Sequence, residues 1–112
     1  MNSAHCMVLV TVPTPEEGDR IGEALLQKQL AGCINILPMT CSLYFWEGKL
    51  CKEPEYLLLI KTRTELFEPI VRLVEEIHPY ELPEIIALPI VAGSAYLEWI
   101  DTQTGKNRGI PV

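Results

Sequence analysis

The sequence predicts an α+β sandwich with the element order β-α-β-β-α-β, closed by an added C-terminal helix. Three observations carry that prediction. Two runs of apolar, β-branched and aromatic residues meet at Glu47-Gly48, a dipeptide that turns a chain readily, so residues 33–62 read as a long β-hairpin. One stretch before the hairpin and one after it place apolar residues at three- and four-residue spacing, the pattern of a helix with one buried face. A short apolar run precedes the first of these stretches and another follows the second, which puts each helix between strands.

The 112 residues suffice for one domain, with a core expected at about 5–101 and a flexible tail at 103–112. Hydrophobic residues at 48% against 21% charged allow a real core without staples. No apolar run approaches the ~20 residues that span a bilayer, and the first residues lack a basic segment, an apolar segment and a cleavage site. The cytoplasm is therefore the expected compartment, with no membrane partner. A net charge of −6 and scattered Lys and Arg argue against nucleic acid. The four cysteines, Cys6, Cys33, Cys41 and Cys51, lack metal or redox pair spacing and are expected as reduced, packed thiols.

In chain order, His5 to Val12 is a continuous apolar run ended by Pro13, as expected of a central strand covered on both faces. Thr14-Pro15-Glu16-Glu17 is a helix start, with Thr14 as cap, Pro15 in the first turn and Glu17 completing a capping box. The helix is expected over 15–31, with Ile21, Ala24, Leu25 and Ala31 on its apolar side, Leu26 and Leu30 widening it, and Gly32 just past its end. The hairpin's first arm contains Pro38, which cannot donate to a ladder, so it reads as 33–37 and 41–47 joined by a kink at 38–40. A second helix starts near Leu66, carries Leu66, Ile70, Leu73 and Ile77 on one side, and ends at His78-Pro79. Residues 84–91 form a last strand at a sheet edge, where Pro89 is tolerated, and Ser94 caps a short helix with Tyr96, Leu97, Trp99 and Ile100 on its apolar side.

This order is the ferredoxin-like split β-α-β arrangement, a four-stranded antiparallel sheet with helices on one face. The strand at Tyr56 to Ile60 is apolar on both faces, so the uncovered side of the sheet would be a liability in a monomer. Oligomerisation, with the hairpin pairing to another copy, resolves it. Leu58→Asp is the substitution expected to dissolve such an assembly.

Few residues carry chemistry. His78 either caps the last carbonyls of its helix or serves as a ligand. Cys33 would be a nucleophile only with a base beside it, and no catalytic signature surrounds it. Glu47, Glu53, Glu55, Glu81 and Glu84 read as solvent-lining carboxylates. No phosphate-cradling loop, G-x-S-x-G or H-E-x-x-H is present, and the glycine-aromatic motif of RNA-recognition domains is missing.

Several stretches together resemble the CutA family of divalent-cation tolerance proteins. They are Leu30-Ala31-Gly32-Cys33-Ile34-Asn35-Ile36-Leu37-Pro38, Ser42-Leu43-Tyr44-Phe45-Trp46-Glu47-Gly48-Lys49, Leu59-Ile60-Lys61-Thr62, His78-Pro79-Tyr80-Glu81-Leu82-Pro83-Glu84 and Tyr96-Leu97-Glu98-Trp99. The resemblance implies a homotrimer of ferredoxin-like subunits, similar in architecture to the PII signalling proteins. It implies ligand-binding residues Asn35, Tyr44, Trp46, Lys61, Tyr80 and Glu84 in clefts between subunits, and Cys33 with His78 as a pair for copper or another divalent cation. It brings no catalytic residue. Ile77 and Val10-Thr11 stand where relatives place a second histidine and a cysteine, which thins the copper ligands.

The expected function is therefore a cytoplasmic, non-enzymatic homotrimer involved in the response to metal ions. It would bind a divalent metal or a small ligand at subunit clefts and act on an unidentified protein partner. The alternatives are a cysteine-dependent enzyme using Cys33 and His78, and a PII-like effector-binding signalling trimer.

Overall fold

In the computed structural model, which describes residues 3–39 and 41–105, the strands are β1 (His5–Val12), β2 (Cys33–Pro38), β3 (Ser42–Trp46), β4 (Lys49–Glu53), β5 (Tyr56–Arg63) and β6 (Ile85–Pro89). The helices are α1 (Pro15–Gln27), α2 (Phe67–Ile77) and α3 (Ser94–Gln103), with one 3₁₀ turn at Thr64–Leu66 leading into α2. The fold is α+β with three helices, and its main sheet runs β2-β5-β1-β6, each neighbouring pair antiparallel.

Strand alternation divides the sheet into two unlike faces. Val8 and Val10 lie opposite Ile60 and Leu58, and all four are fully buried with Ile21 and Leu25 of α1 and Ile70 and Val74 of α2. This is the core. The other face carries Met7, Leu9, Leu57, Leu59, Leu37, Ile86 and Leu88, with Leu37, Ile86 and Leu88 exposed. Leu58 belongs to the core, so Leu58→Asp would unfold the chain rather than report assembly.

The hairpin, expected to break only in its first arm, is divided in both arms. Its outer part, β3 with β4, forms a separate two-stranded sheet, and only its inner part, β2 with β5, joins the main sheet. Pro38 and Pro54 stand where the ladders part, because neither ring can donate a ladder hydrogen bond. The Met39 N–H to the Glu55 carbonyl, at 2.9 Å, still ties the two arms together there. Of the kink expected at 38–40, residue 40 lies outside the described residues. Glu47 and Gly48 turn the tip with φ of 50° and 78°, both left-handed, as a two-residue type I′ turn requires.

Helix α1 ends four residues earlier than expected. Gln29 adopts φ 57°, the Leu30 N–H reaches the Leu25 carbonyl at 3.0 Å, and the Gln29 N–H reaches Leu26 at 3.0 Å. That is a Schellman motif with glutamine in the position glycine usually takes. Only half of the expected capping box forms. Thr14 accepts from the Glu17 N–H at 3.1 Å, while the Glu17 carboxylate turns to Arg20, whose guanidinium also donates to the Ile77 carbonyl at the end of α2. Leu26, expected on the apolar side, is exposed.

Helix α3 lies on the opposite face from α1 and α2, at one end of the sheet. His5 Nε2 meets the Asp101 carboxylate at 2.8 Å, and buried Arg63 donates to the Thr104 hydroxyl at 2.7 Å and its carbonyl at 3.0 Å while pairing with Glu65. Gly93 is the cap position rather than Ser94, which is the first helical residue. The expected flexible tail from 103 is shortened from within, since Gln103 is helical and Thr104 fully buried; residues 106–112 lie outside the described residues.

Gly32 does not cap α1. A Cβ there would stand 3.1 Å from Ile100 Cγ1 and 3.2 Å from its Cα, so glycine is what lets α3 seat against the sheet. Gly32→Ala is expected to destabilise the fold by about 1–3 kcal/mol through this overpacking. Denaturant unfolding checks it, and a variant as stable as the parent would contradict the close approach.

Candidate functional site

A groove of about 790 Å³ opens where strand β3 faces the segment after α2. One wall is Ser42 to Trp46 of β3; the other is Pro79 to Leu82 with Glu84; Thr11 and Glu55 form the floor. The groove exists because three chain segments converge: the end of β1, the start of β5 and the connector following α2.

A chain of hydrogen bonds holds that floor. His78 is buried, and its Nε2 lies 2.8 Å from the Thr11 carbonyl, to which it donates. Its Nδ1 accepts from the Tyr80 N–H at 3.0 Å. Both bonds are satisfied together only by the neutral Nε2–H tautomer. The Tyr80 ring packs beside the imidazole, with centroids 4.7 Å apart, and its hydroxyl donates to Glu55 Oε2 at 2.7 Å. Glu55 is only 5% exposed, so this bond is a charge-assisted one in a largely dry setting.

Electrostatics follow from that geometry. Burial, then the hydrogen bond to Glu55 and the negative charge of Glu55 and Glu53, push the Tyr80 phenol well above its usual range. Tyr44 is raised too, by desolvation and then by Cys51, Glu53 and Glu55. The groove is an electronegative, aromatic place.

The residues expected at the site fall into two groups. Tyr44, Trp46, Tyr80 and Glu84 line the groove together, with His78 beneath them. Asn35 and Lys61 lie instead on the open face of the main sheet, where the Lys61 ammonium donates to the Asn35 side chain. Cys33 is the register partner of Lys61, near Tyr96 of α3, whose phenol is raised by burial and then by the Cys33 thiol. Cys33 and His78 are not brought together within one chain. His78 binds Thr11, level with Leu57, while Cys33 is level with Lys61, four residues or ~13 Å further along β5.

Glu55, expected among the solvent-lining carboxylates, is instead buried beneath Tyr80. It follows Pro54 at the mouth of a strand, and nothing in its local pattern signals that a tyrosine 25 residues away will cover it. Phe45 and Leu82 also line the groove, though their exposure in the sequence reads as ordinary hairpin and loop surface.

Tyr80→Phe is expected to cost about 2 kcal/mol at neutral pH, the worth of a hydrogen bond to a charged group. Because the folded chain raises this phenol, the bond's contribution is complete below pH about 10, where unfolded tyrosine is protonated, and declines at higher pH as the unfolded state ionises first. Urea unfolding of both proteins across pH 7–11 checks it; the gap should narrow above pH 10, and a constant gap would contradict the assignment.

The family model described as CutA1 divalent ion tolerance protein matches residues 6–103. A chloroplastic CutA protein of Arabidopsis thaliana is 48% identical over 88% of this chain, which spans only 54% of that relative. The divalent-cation tolerance protein CutA of Thermus thermophilus is 44% identical over 88% of this chain and 97% of its own. Among solved structures, CutA1 from Oryza sativa superposes with a TM-score of 0.87 at 42% identity, covering 94% of this chain and 97% of its own.

Proposed function

The chain belongs to the CutA1 divalent ion tolerance protein family, and from that premise we propose that it is a non-enzymatic, cytoplasmic homotrimer whose hairpin groove binds a small ligand. The observation that carries this reading is the groove itself, into which Tyr44, Trp46, Tyr80 and Glu84 converge from separate segments. The strand order β2-β5-β1-β6 with α1 and α2 on one face supports a ferredoxin-like subunit. The half-covered apolar face of the sheet, with Leu43, Phe45 and Leu50 exposed on the hairpin, supports assembly.

A divalent metal does not fit the donors of a single chain. Copper asks for several converging nitrogen or sulfur ligands, and among the described residues no three His, Cys, Asp or Glu side chains group at metal-holding spacing. Both ring nitrogens of His78 are already engaged, and Cys33 is remote from it. Metal tolerance on this reading comes through the bound ligand and an unidentified protein partner, in the manner of an effector-binding signalling trimer. The cysteine-enzyme alternative lacks its base, since the nearest expected one faces Thr11 and not Cys33.

Native mass spectrometry tests the assembly. A trimer is expected, unchanged in mass and assembly after EDTA treatment. Leu88→Asp, placed on the exposed open face, should leave the subunit folded and abolish the trimer. A monomeric parent, or a metal-dependent trimer, would contradict the proposal.

A further inference from the structure

We draw no further inference here: the strongest candidate, the side-chain cluster of Cys33, Asn35, Lys61 and Tyr96 where α3 meets the open face of the main sheet, carries nothing, because nothing in the structure shows what covers that face.

Discussion

The structure of the site depends on one buried relay: Thr11 carbonyl, His78 imidazole, Tyr80 amide, then Tyr80 hydroxyl and Glu55 carboxylate. It ties the connector after α2 to the end of β1 and the start of β5, which pair with each other through Val12 and Tyr56 but form no ladder with that connector. Each member is satisfied by the next, which is the condition under which buried polar groups add order instead of cost. The stiff prolines around Tyr80 limit the alternatives available to that connector, and the relay selects one of them. Remove it, and the wall of the groove after α2 has only side-chain packing to hold it against the hairpin.

The hairpin meets a different constraint. Its inner arms are part of the sheet, whereas its outer ladder packs chiefly on itself and carries exposed Leu43, Phe45 and Leu50. A two-stranded ribbon of that kind is marginal alone. The same holds for the sheet's open face, where α3 covers one end through Arg63 and His5 and leaves Ile86 and Leu88 uncovered. Both features leave apolar side chains uncovered on the single chain. The groove runs along β3 from Ser42 to Trp46.

Much of the fold was legible because local patterning dominates it. Thr14-Pro15, the heptad-like spacing from Leu66 to Ile77, and Glu47-Gly48 each act within a few residues, and each formed where the pattern placed it. The failures were tertiary. Gln29 took the left-handed position that Gly32 seemed made for, because Gly32 is needed against Ile100. Pro54 divided the hairpin where only Pro38 was expected to. Tyr44, Trp46, Tyr80 and Glu84, expected together from the family resemblance, line one groove, whereas register sets Cys33, Asn35 and Lys61 apart from it. Glu55 was invisible for the same reason: its burial is made by Tyr80, not by its neighbours in sequence.

The relay is best tested at its middle. Nitrogen NMR of the His78 ring at neutral pH, read with the amide exchange of Tyr80, reports both halves of the imidazole at once. The structure requires a single neutral ring protonated at Nε2, an Nδ1 shifted as an acceptor, and a slowly exchanging Tyr80 amide. A ring protonated at Nδ1, or one averaging between tautomers with a freely exchanging Tyr80 amide, would contradict the relay and the groove floor built on it.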